Sequence, residues 1–432
     1  MKKCCCFLLL LFCLGFCAWG KVRYDDWFID KTLRVDCIFA GTDSVQDLYL
    51  SELLSLPQWS GRKVNLDTLC LRGNGQITVK DEQSGIVIYR TSFSSLFQEW
   101  QNTQEATMVR KSFENTFLLP YPKDPVVITL ELFSKYGVRT AALTFRVDPK
   151  DILIRNIVKD ESSDVSYRYV MGGSKDNINV VFVPEGYTKE EMQTFYDDVH
   201  KACSALFQHE PFKKLKNRFN IIAVNAPSEE SGVSVPKQGV WKRTVLDSHF
   251  DTFYSDRYLT TLHLTRLHDL LATIPYEHIV ILANTSTYGG GGIFNSYTLT
   301  TTHNAQFQPV VVHEFGHSFG GLADEYYYDD EYSHNYVKGV EPYEPNITTL
   351  ANFSEKWENL LPEKTVIPTP ANNKGADVYT KIGVYEGAGY QSKDVYRAFQ
   401  ECRMKINEAP EFCLVCQQAL ERIIRFYTED LQ

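Results

Sequence analysis

Positive charge, histidine and long apolar stretches are all in short supply in this 432-residue sequence, which holds only 10 histidines. Lysine and arginine number 44 against 54 aspartates and glutamates, a net charge of −10 that becomes −12 once Lys2 and Lys3 are set aside with the first twenty residues. Binding a polyanion needs clustered cations, so no nucleic-acid partner is expected. Past residue 20 no run is long and apolar enough to form a transmembrane helix. Cysteine is also sparse once position is considered: five of the eleven fall in the first twenty residues, leaving Cys37, Cys70, Cys203, Cys402, Cys413 and Cys416. Only Cys402, Cys413 and Cys416 fall close together, one thiol short of a four-cysteine structural zinc set, so a local disulfide or buried thiols is the expectation there. Disorder is excluded by the aromatic content of 13%, which is ample for packed cores.

The chain opens with Lys2-Lys3 and the apolar run Phe7-Leu8-Leu9-Leu10-Leu11-Phe12. That run is too short for a permanent span and has the pattern of a signal peptide over residues 1–20, with Ala18-Trp19-Gly20 supplying small residues for cleavage. A lipid anchor on Cys17 is the rival reading. Phe16 is bulky where a small residue is wanted before a lipidated cysteine, so soluble export is expected, to a periplasmic, cell-surface or secreted location, with membrane contact only if Cys17 is lipidated.

From residue 21 to about 150 short alternating runs recur, among them Gln76-Ile77-Thr78-Val79 and Val126-Val127-Ile128-Thr129-Leu130. Period-two alternation broken by Gly, Asn and Asp predicts an antiparallel β-sandwich. It carries no metal or nucleophile constellation, so its expected roles are support and substrate or glycan docking, with scaffolding preferred. A charged linker at 148–164 follows, and residues 165–432 alternate strands with helices. Val180-Val181-Phe182-Val183 reads as a buried strand, Thr188 caps a helix running to about Phe207, and Leu259–Leu271 reads as a second helix. Glu411–Tyr427 closes the chain as an amphipathic helix. The expected fold class is α+β: an N-terminal antiparallel β-sandwich, then an α/β domain with a mixed or parallel sheet under helical cover.

The stretch with chemistry in it is Val312-His313-Glu314-Phe315-Gly316-His317-Ser318-Phe319-Gly320-Gly321-Leu322-Ala323-Asp324-Glu325-Tyr326. A helix turns about 100° per residue, so residues four apart project within about 40° of each other, as two ligands of one ion must. His313 and His317 meet that condition. Glu314, beside the first ligand, is placed to take a proton from a water on the ion, the arrangement of H-E-x-x-H zinc hydrolases. A catalytic zinc takes three protein ligands and keeps a place for water. Ala323 stands where metzincins have their third histidine and cannot ligate. The carboxylates that follow the Gly320-Gly321 turn can. Asp324 is favoured and Glu325 is its rival.

This motif, with Gly320, Asp324, Glu325 and Tyr326 and the later Tyr396-Arg397 and Cys402-Arg403-Met404, resembles the secreted zinc metallopeptidase family that includes a bacterial immunoglobulin A peptidase. The resemblance implies a zincin-type catalytic domain behind a smaller β-rich domain, and Met404 resembles the methionine turn beneath a metzincin zinc. It does not carry an immunoglobulin substrate across. In zincins the strand before the metal helix is a sheet edge along which an extended substrate adds, which points to Gly291, Gly292, Ile293 and Phe294 as substrate-binding residues. Tyr390 or Tyr396 is a candidate donor to the developing oxyanion. The acidic, aromatic Tyr326–Tyr332 stretch is a candidate cleft rim or calcium site, with a solvated loop expected in preference to calcium.

The expected function is therefore an exported Zn2+-dependent metallopeptidase, in all expectation an endopeptidase, acting on polypeptides. Two alternatives stand beside it: a zinc hydrolase of non-peptide amides, and a non-catalytic binding protein or adhesin on the same fold. An open sheet edge at 289–300 favours a peptide, and a closed pocket favours a small ligand. Oligomeric state is not legible in the sequence.

Overall fold

Alternation governs the first part of the chain, and continuous burial governs the second. The computed structural model describes residues 21–158, 165–328, 335–371, 375 and 377–431. The leader with Cys17, part of the expected linker and the centre of the acidic loop lie outside the described residues. After a one-turn helix α1 (Tyr24–Trp27) come β1 (Phe28–Gly41), β2 (Gln46–Leu56), β3 (Gly75–Asp81), β4 (Val87–Phe93), helix α2 (Leu96–Trp100), β5 (Lys111–Pro122), β6 (Val126–Phe133), β7 (Arg139–Val147) and β8 (Arg155–Asn156). They form two four-stranded sheets, ordered β5-β1-β2-β8 and β4-β3-β6-β7. β6 alternates buried and half-buried residues along its whole length, because successive side chains leave opposite faces of a strand. Phe39, Phe93, Phe97 and Phe117 fill the space between the sheets. The expectation of a wholly antiparallel sandwich needs one correction: β8, which follows the long return from β7, pairs parallel to β2.

The second part adds β9 (Ser166–Met171), β10 (Ile178–Glu185), α3 (Met192–Leu206), β11 (Phe219–Asn225), α4 (Leu264–Leu270), β12 (His278–Ala283), β13 (Gly290–Ile293), β14 (Tyr297–Thr301) and α5 (Phe307–Ser318). Then follow β15 (Tyr327–Tyr328), β16 (Ile347–Thr348), α6 (Asp377–Thr380), β17 (Tyr385–Ala388), β18 (Tyr390–Arg397) and α7 (Leu414–Thr428). A six-stranded sheet runs β13-β14-β12-β10-β11-β9, parallel through its centre and antiparallel at both edge pairs. β10 and β12 are buried on both faces, as central parallel strands are. Val180 and Phe182 join a core with Phe195 of α3, Phe315 of α5 and Ile424 of α7. Val181 and Val183 point the other way, into a cluster that includes Leu267 of α4 and continues to Phe39 and Ile77 of the sandwich. One apolar cluster therefore joins the sandwich to the lower face of the mixed sheet, each fully buried Val or Phe contributing about 1.5–3 kcal/mol.

Two helix boundaries differ from the sequence reading. α4 starts at Leu264, since residues 259–263 take an irregular path in which Thr260 pairs with His249. α7 begins at Leu414, after the extended Cys413. α3 is entered through a capping box in which Thr188 and Glu191 satisfy each other's backbone N–H groups. Among the described residues no helix is long and apolar enough to cross a membrane.

Candidate active site

Helix α5 is built to present polar groups from a buried stem. Val311, Val312 and Phe315 anchor it in the helical core, while His313, Glu314 and His317 face an opening. Gly316 in its interior would cost about 1 kcal/mol relative to alanine. The reason for it is close approach: a Cβ there would lie 2.7 Å from Sδ of the fully buried Met404. The helix ends at Ser318 and the chain turns out of it at Gly321, whose φ of +57° is the left-handed conformation that favours glycine. Its N–H closes the last turn on the His317 carbonyl at 2.9 Å. The chain then doubles back and delivers Asp324 to the two histidines.

Three donor atoms converge. His313 Nε2 is 3.0 Å from Asp324 Oδ1 and 3.0 Å from His317 Nε2, and His317 Nε2 is 3.2 Å from the same Oδ1. The far nitrogen of each ring meets a backbone carbonyl: His313 Nδ1 that of Arg403 at 3.0 Å, and His317 Nδ1 that of Leu322 at 2.6 Å. Carbonyls only accept, so both Nδ1 atoms carry hydrogen, and each ring in its neutral form turns an Nε2 lone pair toward the carboxylate oxygen. Three electron-pair donors at mutual distances of about 3 Å repel unless a cation sits among them, so the donor set fits a zinc ion held by His313, His317 and Asp324. Without a metal, burial opposes charge on the rings but the carboxylate outweighs it. His313 is raised and His317 is pushed up to about 10. The rings in turn hold Asp324 well below the usual carboxylate range against its own burial.

Glu314 lies one residue along, under the edge of the sheet, where a Cβ on Gly290 would come 3.3 Å from its Oε1. Burial raises its carboxyl above the ordinary range, partly offset by the two histidines. Tyr390 donates its hydroxyl to Asp324 Oδ2, and Tyr326 packs edge-on against the Tyr390 ring at 5.2 Å. Tyr390 holds a φ of +68°, a costly conformation for a bulky residue. Its N–H bonds to the Tyr326 carbonyl and that of Gly389 to the Asp324 carbonyl, which fixes the hairpin over the site. Tyr396 is elsewhere. It pairs with Thr348 and Glu386 across the small sheet and does not line the cleft.

The strand directly before α5 is β14, which lies inside the sheet; the edge is β13, where Gly291, Gly292 and Phe294 line the cleft and Ile293 does not. Gly289 O accepts from Thr301 N, and the alternation of an antiparallel ladder then turns the N–H and C=O of Gly290 and Gly292 away from β14. Gly292 has no room for a side chain, since a Cβ would meet the Glu314 carbonyl at 2.3 Å and His317 Cβ at 2.8 Å. Absence of side chains lets the strand lie directly on α5.

Sequence reasoning missed the opposite wall. The cleft, of about 1970 Å³, is lined by residues of both halves, Gln98 and Glu99 of α2 among them, and Glu99 is near enough to His317, Glu314 and Asp324 to feel their charges. Tyr258 donates to Glu99. Burial pushes that carboxyl up to about 7, the tyrosine hydrogen bond pulling the other way. The sandwich is also tied to the segment after β13, Ser94 N to Phe294 O at 2.9 Å and Asn295 Nδ2 to Ser92 O at 2.8 Å. No local pattern marks Glu99; only the packing of the two halves brings it in. Tyr326 was within reach of the sequence, being the residue after the two carboxylates.

Glu325 turns away from the histidines. Its Oε1 accepts from Asn346 Nδ2 at 2.9 Å and from Cys416 Sγ at 3.3 Å.

Residues 170–377 and 373–424 match the family model described as IgA Peptidase M64. Residues 23–144 match the model described as Peptidase M64 N-terminus. Comparison with curated proteins returns no match.

Proposed function

The chain belongs to the IgA peptidase M64 family, which makes it a peptidase with polypeptide substrates, and from that premise we propose that it is an exported zinc endopeptidase of zincin-like architecture. The observation that carries the reading is the convergence of His313, His317 and Asp324 on one point beside Glu314. A zinc ion held by those three residues supplies Lewis acidity, acidifying water and polarising a carbonyl. Glu314 accepts the proton of the attacking water and returns it to the leaving amine, a role that a raised carboxyl pKa suits. The outward N–H and C=O groups of Gly290 and Gly292 hydrogen-bond the substrate backbone as an added strand. Tyr390 and Tyr326 supply hydroxyls at the same side of the site for the developing oxyanion.

The two alternatives fare differently. A binding module has no use for a carboxylate beside the first ligand, and among the described residues no protein donor occupies that of Glu314. A small amide substrate calls for a closed pocket of about 300–1,000 Å³. Here the cleft is larger and follows a sheet edge, which favours an extended polymer. The test is mass-spectrometric profiling of a mixed protein digest incubated with the native chain and with Glu314→Ala. New internal cleavages in the first sample only are expected. Identical profiles in both would refute the assignment.

A further inference from the structure

A second group of metal-ligating side chains lies behind the first, on the far side of the Ala323–Glu325 segment. Cys402, Cys413, Cys416 and Glu325 each offer one atom, and these four atoms lie within 4.8 Å of one another. Cys402 Sγ is 3.8 Å from Cys416 Sγ, Cys413 Sγ is 3.5 Å from Cys416 Sγ, and Cys416 Sγ is 3.3 Å from Glu325 Oε1. With zinc–sulfur bonds of about 2.3 Å and zinc–oxygen bonds of about 2.0 Å, the edges of a tetrahedron come to about 3.8 Å and about 3.5 Å. The observed separations match those edges. All three thiols are free and none of the four side chains is more than 5% exposed.

The sequence expectation for these cysteines was a disulfide or plain buried thiols, because only three cluster. The fold brings the missing fourth ligand from Glu325, a residue remote in sequence. Cys413 and Cys416 form a Cys-x-x-Cys pair at the entry to α7, and Cys402 accepts from Cys413 N at 3.2 Å. Two observations point to a cation independently of the distances. Glu325 is fully buried, and its Oε2 has no hydrogen-bond partner among the described residues. A carboxylate left half-satisfied in an apolar core is costly; Arg397 and Lys405 attract it through space, but among the described residues neither closes an ion pair with it, and Lys405 pairs with Glu401 instead.

We infer that Glu325, Cys402, Cys413 and Cys416 form a closed structural site for zinc or a similar thiophilic divalent cation. The thiols enter as thiolates, their protons passing to solvent. With four protein ligands and no exposure the site has no position for a substrate, so its work is mechanical. It ties the loop after α5 to α7, and Glu325 N also bonds to the Met404 carbonyl at 2.8 Å. Asp324 is thereby held from one side by the buried site and from the other by Tyr390.

The test is cobalt loading of the full chain, reading metal equivalents and thiolate-to-cobalt charge-transfer absorption. The native chain should hold two equivalents. His313→Ala/His317→Ala should hold one and keep the charge-transfer bands. Adding Cys413→Ser to that variant should remove both. If the cysteine variant fails to fold, thiol counting on the native zinc-loaded chain serves instead: three thiols should react only after chelation. A double-histidine variant that binds no cobalt, or an intact mass that shows a disulfide among these cysteines in the native chain, would overturn the inference. Should the catalytic reading fail instead, native chain and double-histidine variant would each hold the one thiolate-bound ion.

Discussion

Asp324 and Glu325 are neighbours in the chain, yet they serve sites of opposite character. Asp324 meets two imidazoles at the floor of a cleft, with side chains 12% and 13% exposed, and the carboxylate of Glu314 stands beside them. Glu325 meets three thiols in the core with no exposure at all. Nitrogen and oxygen donors with one side open suit a metal that must still bind water; sulfur donors with every side closed suit a metal that must only hold. The two side chains leave the backbone toward separate sets of partners, so two residues suffice to separate the roles.

That contrast can be broken most severely at Asp324. Asp324→Ala should empty the cleft site and reduce hydrolysis by about 10³-fold or more, since the metal's contribution goes with it. The buried site should keep its ion, as metal analysis of the variant would show. Chelation sharpens the same comparison. Dilute chelator should abolish hydrolysis, reversibly on zinc addition, at concentrations that leave the unfolding midpoint unchanged, because the open site exchanges first; simultaneous loss of both would merge the two sites into one.

Smaller effects probe the walls of the cleft. Gly292→Val forces β13 off α5, and overpacking of this kind costs about 1–3 kcal/mol. Activity should fall about tenfold to a hundredfold, with zinc retained in metal analysis. Tyr390→Phe removes a hydroxyl from Asp324 and from the oxyanion side, for an expected loss of about tenfold in kcat with KM little changed. Smallest is Glu99→Gln. The Glu99 carboxyl is raised from 4.5 to about 7 in the folded chain, so the folded state binds its proton more tightly than the unfolded one. The associated stability is present below about pH 4.5 and lost as pH rises through about 7. Urea midpoints of the variant should therefore fall less than those of the native chain between those pH values.

Much of this arrangement is local and hence legible in sequence. His313, Glu314 and His317 are related by helical spacing alone, the Gly320-Gly321 stop is a local backbone matter, and β10 announces its burial by an unbroken apolar run. What sequence hid is what tertiary packing decides. Glu99 enters the cleft only because α2 docks against the mixed sheet. Tyr396 looks as suitable as Tyr390 until the β17–β18 hairpin puts the two at different ends of a strand. Three clustered cysteines look incomplete until the turn after α5 carries Glu325 to them. The parallel pairing of β8 likewise depends on where the return from β7 lands.

The central claim is that Glu314 acts as the base at a metal held by its neighbours. Its most direct test is the hydrolysis rate of Glu314→Gln at matched zinc content, because glutamine keeps the size and polarity of the side chain but cannot take a proton from water. Unchanged zinc occupancy at His313 and His317, with a rate reduced by about 10²–10⁴-fold, is the predicted result. A variant that holds the same zinc and still cleaves at the native rate would contradict the account.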